Sequence, residues 1–123
     1  MHNLKFSGLE AHLNRVLESM AHAAKDQLKE NLSGGGSGAQ YPRQPNPSSA
    51  PGEYPAEQSG SLLSSVGVRR DGDGWTFGVY DPPGYAAALE FKAPSSGGRP
   101  FLEPTMTDPD THQAMLEAGG QAR

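Results

Sequence analysis

Apolar residues recur at spacings of three and four along the first quarter of the chain: Leu9, Leu13, Val16, Leu17, Met20, Ala24 and Leu28. That period lines one face of a helix, predicted over residues 8–31. Ser7 and Glu10 stand in S-x-x-E order, the capping-box spacing that satisfies orphan amides at a helix start. Lys25 and Lys29 suit the negative end of the helix dipole, and Gly34 to Gly36 stop the helix. No polar residue interrupts the stripe, so it reads as a docking face rather than a ligand site.

Farther on the period changes to two. Val66 and Val68 alternate with Gly67 and Arg69, and Trp75, Phe77 and Val79 alternate with Thr76, Gly78 and Tyr80. Asp71-Gly72-Asp73-Gly74 lies between the two runs. A β-hairpin is predicted, with Val66, Val68, Trp75, Phe77 and Val79 on the face that packs against the long helix. Residues 60–65 fit either one helical turn or a strand entry. Asp81-Pro82-Pro83-Gly84 ends the hairpin, and the alanine-rich residues 85–91 favour a short helix. Asp108-Pro109-Asp110 reads as the start of a last helix, with a cap, a proline at the first position and acid in the first turn. Met106, Met115 and Leu116 are expected to face inward, and the helix to stop near Gly119-Gly120.

Two segments carry neither period. Residues 33–60 hold six Gly, five Pro and five Ser, with Tyr41 and Tyr54 as the only large apolar side chains. Such a composition buries too little surface to offset its ordering entropy. It is predicted to be an extended arm held by a neighbouring subunit. Residues 95–98 form a second flexible loop. In Gly98-Arg99-Pro100-Phe101-Leu102-Glu103-Pro104, two prolines fix φ and donate no hydrogen bond. They are expected to keep the segment extended, presenting Phe101 and Leu102 as an anchor into the chain's own core or into a neighbour.

The elements give an α+β fold in a single domain, 1–123. A small antiparallel β-sheet is packed by a long N-terminal helix and a C-terminal helix, with a long Pro/Gly-rich arm. Composition makes the core thin: 34% of 123 residues are hydrophobic, against 16 Gly and 11 Pro. A chain with this much loop is a candidate for stabilisation by assembly. The net charge of -4 argues against a dedicated nucleic-acid binder, though not against a protein that merely surrounds DNA. There is no cysteine, which removes disulfides and thiolate chemistry. No apolar run approaches the ~20 residues that span a membrane, and Met-His-Asn-Leu-Lys-Phe-Ser lacks a signal peptide's apolar region. The expectation is a soluble protein made in the cytoplasm.

No catalytic, cofactor or metal site emerges. Asp71-Gly72-Asp73-Gly74 resembles the opening of a calcium loop, but Trp75 and Pro82 stand where later ligands are needed. His12 and His22 lie ten residues apart on one helix, roughly 80° out of register. No G-x-S-x-G occurs. Gly34-Gly35-Gly36-Ser37-Gly38 follows a helix, whereas a phosphate cradle precedes one. Glu53, Glu57, Glu90 and Glu103 could pair only by folding together. Tyr41-Pro42-Arg43-Gln44-Pro45-Asn46-Pro47 contains a P-x-x-P. It reads either as a semi-rigid spacer or as a ligand for a partner's groove. The latter is the basis of an alternative reading, a small protein-interaction module acting through its Pro-rich arm.

Three stretches, in order, resemble the head–tail connector, neck or tail-completion family of long-tailed phages (siphophages). Residues 49–62, Ser-Ala-Pro-Gly-Glu-Tyr-Pro-Ala-Glu-Gln-Ser-Gly-Ser-Leu, resemble its S-A-P-G-x-x-P-x-x-x-T-G-x-L element. Residues 85–91, Tyr-Ala-Ala-Ala-Leu-Glu-Phe, resemble Y-A-x-x-x-E-F, and residues 99–104, Arg-Pro-Phe-Leu-Glu-Pro, resemble R-P-F-L-x-P. The chain departs from those patterns at Ser59, Leu63, Lys92 and Glu103. The resemblance spans roughly residues 5–118. It implies a structural, non-enzymatic virion protein forming a homo-oligomeric ring, six- or twelvefold, between capsid portal and tail tube. DNA would pass through the lumen without specific binding. The implied partners are copies of itself, head-completion or adaptor proteins, and tail-tube or tail-terminator proteins. The implied location is the virion neck, with assembly in the host cytoplasm. On this reading residues 33–60 and 92–99 are contact elements, and Tyr41, Tyr54, Phe91, Arg99 and Phe101 are interface anchors, aromatics and arginine being the usual hot-spot types. Phe91 and Phe101 read equally well as core.

Overall fold

A computed structural model describes residues 7–58 and 60–122. His2, Ser59 and the Ser7 side chain of the expected capping box lie outside them. The architecture is α+β: a long N-terminal helix, a two-stranded antiparallel sheet and C-terminal helices.

Helix α1 runs Ser7–Leu32, a residue beyond the predicted span at each end. After it and the 33–60 segment, the single turn α2 (Ser61–Ser64) leads into strands β1 (Val66–Asp71) and β2 (Gly74–Val79). The register pairs Val66 with Val79, Val68 with Phe77 and Arg70 with Trp75. Val66, Val68, Phe77 and Val79 therefore share the face that meets α1. The two-residue loop has a positive φ of 58° at Gly72 and none at Asp73, the signs of a type II′ turn, which calls for glycine at its first central position. On the opposite face the Arg69 guanidinium lies 4.1 Å from the Tyr80 ring centroid.

Helix α3 spans Ala86–Phe91, followed by a 3₁₀ turn at Pro94–Ser96, helix α4 at Leu102–Thr107 and helix α5 at Pro109–Gln121. Asp108 caps α5 as its sequence predicts, accepting the Asp110 amide at 2.9 Å. The helix ends at Gln121, within a residue of the expected stop near Gly119-Gly120. It packs against α1 there, and a Cβ on Gly119 would lie 3.1 Å from Met20 Cγ. Gly119 is thus the gap that lets two helices approach. Met106 and Leu116 face outward, against expectation, and Met115 is half-buried.

The core joins Leu28 and Leu32 of α1 to Leu62, Val66, Ala86 and Phe101, with Tyr54, Phe77, Val79, Leu89 and Leu102 packed around them. Only the C-terminal half of the α1 stripe reaches it. Leu9, Leu13 and Leu17 are 51%, 50% and 41% exposed.

The 33–60 segment differs most from expectation. In the single chain it is not extended but folds back on itself. Gly36 and Gly38 donate to the carbonyls of Pro47 and Ser48, and Ser48 donates to Ala39. Asn46 and Gln58 bond reciprocally, the Asn46 amide to Gln58 Oε1 at 3.2 Å and Gln58 Nε2 to the Asn46 carbonyl at 2.9 Å. The Glu57 amide reaches the Gly34 carbonyl at 2.8 Å. Pro55 is buried and Tyr54 rests on the core. Polar cross-bracing supplies the order that apolar burial alone does not.

Candidate functional site

The three stretches that carry the family resemblance meet in one corner of the molecule, and two charged side chains fasten them. The first is Glu90, the acid of the second stretch. Its carboxylate accepts the backbone amides of Phe101 at 3.0 Å, Leu102 at 2.8 Å and Glu103 at 3.3 Å. Those are the cap and first two residues of α4. A helix start leaves four amides without intrahelical partners. Here three are taken by Glu90, and the fourth position is Pro104, which has no amide to satisfy. The Thr105 amide then makes the first bond within the helix, to the Phe101 carbonyl at 3.4 Å. The negative charge also faces the positive end of the peptide dipoles.

This corrects the expected extended segment between the two prolines. Pro104 sits in the first turn of α4, where proline is tolerated. Phe101 takes the core alternative, 1% exposed against Leu28, Leu62 and their neighbours. Its place is fixed again from below, where Asn31 Nδ2 donates to Thr105 Oγ1 at 2.9 Å, tying α4 to the end of α1.

The second fastener is Arg99. Its Nε and Nη2 both donate to the Ser49 carbonyl, at 3.2 and 3.1 Å, while Nη1 donates to the carbonyls of Pro94 and Gly98 at 3.0 and 2.6 Å. One planar guanidinium thereby holds the first stretch against the third, 50 residues away. Close by, Glu53 braces the folded segment, accepting the Ser37 amide at 3.0 Å and the Ala50 amide at 2.6 Å. The Ser37 bond first and the Ala50 bond next, with a smaller contribution from Arg99, hold the Glu53 carboxyl below its usual value.

Of the five expected anchors, Phe101 lies in the core, Tyr54 rests against it, and Arg99 is half-buried within the intramolecular clamp. Tyr41 is exposed at the outer end of the folded segment, and Phe91 is 83% exposed at the end of α3. Pro42 and Arg43 form a turn: the Gln44 amide bonds the Tyr41 carbonyl at 3.3 Å and Arg43 has a φ of 70°. That is not the polyproline geometry a groove-binding ligand presents. Sequence reasoning missed Glu90 and Ser49 as structural partners. No local signal pointed to Glu90, because the helix start at Leu102 that it caps is itself absent from the sequence pattern.

The described residues offer no group of three or more His, Asp or Glu placed to hold a metal ion. No described helix is long and apolar enough to cross a membrane. A cavity of about 340 Å³ opens between the folded segment, α2 and α3. Searches against family models, curated proteins and solved structures found no match to this chain.

Proposed function

We propose that the chain is a structural subunit of a phage neck, assembling into a ring that joins the capsid portal to the tail tube and lets DNA pass. The observation that carries this reading is the convergence of the three family-like stretches through Glu90 and Arg99. Here the acid of one stretch caps the helix begun by another, and the arginine of that stretch holds the first.

The surface supports assembly. Leu9, Leu13 and Leu17 continue a stripe whose other half is core, and Phe91, Tyr41, Met106 and Leu116 stand exposed elsewhere. On a 123-residue chain such faces mark interaction surfaces. The contact elements of this ring are the projecting apolar faces and the outer side of the folded 33–60 segment, rather than a free arm. The subunit has no catalytic role, and its net charge of -4 suits a wall past which DNA slides.

Sedimentation velocity over a wide concentration range, with negative-stain imaging of the heaviest species, tests the reading. A closed ring is expected. A Leu9→Ser, Leu13→Ser, Leu17→Ser variant should keep its thermal transition and lose the assembled species. A chain monomeric at every concentration, alone and with its neck partners, contradicts the reading.

A further inference from the structure

We infer that Phe91 is a knob that seats in the cavity of a second copy of the chain, so that α3 forms a head-to-tail contact between subunits. The inference deepens the ring reading and rests on it. Phe91 is the most exposed of the large apolar side chains described, at 83%. The cavity of about 340 Å³ is lined by Leu32, Pro55, Leu62, Leu63 and Leu89, with Glu57 among its polar members. Leu32 and Leu62 are 2% and 7% exposed and belong to the core. The opening has an apolar floor on these side chains and a polar wall of Gln44, Ser48, Ser49, Glu57 and Gln58, with room for an aromatic ring.

Knob and hole belong to the same short helix but to different sides of it. Tyr85 and Leu89 line the cavity, one helical turn apart. Phe91 is two residues past Leu89, a rotation of about 200°. The ring cannot enter its own molecule's cavity, so an occupant comes from another molecule, and a second copy presents both the ring and the neighbouring charge that the hole would take. One patch meeting a different patch is a heterologous contact, which propagates round an axis until it closes.

Charge agrees with shape. Lys92 is exposed beside the knob, and Glu57 lies at the hole. Neither the Lys92 ammonium nor the Glu57 carboxylate has an ion pair among the described residues. Seating Phe91 brings a cation to an acid, which fixes the orientation of the contact.

Truncation of an exposed ring leaves the fold intact, so Phe91→Ala should keep the native thermal transition. Self-association measured by sedimentation should weaken at least tenfold. Lys92→Glu and Glu57→Lys should each weaken it, and the double exchange should restore it. The chain has no cysteine, so covalent capture is clean. Oxidised Lys92→Cys/Glu57→Cys should give a ladder of covalent multimers, whereas either single variant gives at most a covalent dimer. Undiminished assembly of Phe91→Ala and Lys92→Glu, or an oxidised double variant with no ladder, overturns the knob and leaves the ring standing on other contacts. A wild-type chain that never self-associates removes both.

Discussion

Removal of the Glu90 carboxylate tests the corner that the family-like stretches build. In Glu90→Ala, three amides lose their acceptor. The amides of Leu102 and Glu103 lie nearer the surface and rehydrate, so their loss resembles that of a helix cap, about 1 kcal/mol. The Phe101 amide sits beside a ring that is 1% exposed. An unsatisfied donor there costs about 1–3 kcal/mol. The sum is about 3 kcal/mol. Glu90→Gln keeps a carbonyl oxygen for Phe101 and Leu102 but loses the charge facing the helix start, about 1 kcal/mol. In urea, with a slope near 1.5 kcal/mol per molar, the alanine variant's midpoint falls by about 2 M and the glutamine variant's by less than half of that. Amide exchange adds a local readout, since Phe101 should lose protection more than the β1–β2 hairpin. An alanine variant within about 0.5 kcal/mol of wild type, or a glutamine variant as damaged as alanine, refutes the capping account.

Gly98→Ala should be among the most damaging single-methyl additions, because the new Cβ would lie 1.8 Å from the Lys92 carbonyl oxygen, which is backbone. A loss of several kcal/mol is expected, and a Tm within a degree of wild type argues against that packing. Thr111 is 0% exposed and its hydroxyl has no hydrogen-bond partner among the described residues, so Thr111→Val should raise stability by about 1 kcal/mol, read as a higher urea midpoint. The lowered Glu53 carboxyl stabilises the folded segment fully above the unfolded-chain value near 4.5. That contribution is lost as pH falls through the lower folded value. Proteolysis within residues 37–53 should therefore accelerate below pH 4.5 in wild type, and far less in Glu53→Gln, which starts from the loosened state.

Elements whose signals are local were legible in the sequence. The Leu28 end of α1, the Val66–Val79 hairpin with its Gly72 turn and the Asp108-Pro109 helix start each depend on neighbours within a few residues. What sequence did not show depends on partners far along the chain. Pro100 and Pro104 suggest an extended strut until Glu90, ten or more residues earlier, supplies the cap that turns residues 102–107 into a helix. The 33–60 segment has the composition of a free arm, but Asn46 with Gln58, Glu53 with Ser37, and Arg99 with Ser49 fold it back. Gly119-Gly120 marked the end of α5 to within a residue, but nothing local reveals that Gly119 also leaves space for Met20. The candidate site was half legible: Arg99 and Phe101 stood out as residue types, but not that Glu90 and Arg99 join distant stretches, nor that Phe91 stands free while Phe101 is core.

On the proposed neck reading the gene lies in a phage genome, and electron microscopy of particles made after its disruption tests that assignment most directly. The account predicts DNA-filled heads and separate, complete tails, with joined particles restored when the chain is supplied in trans. Intact, infectious virions without the chain would contradict it.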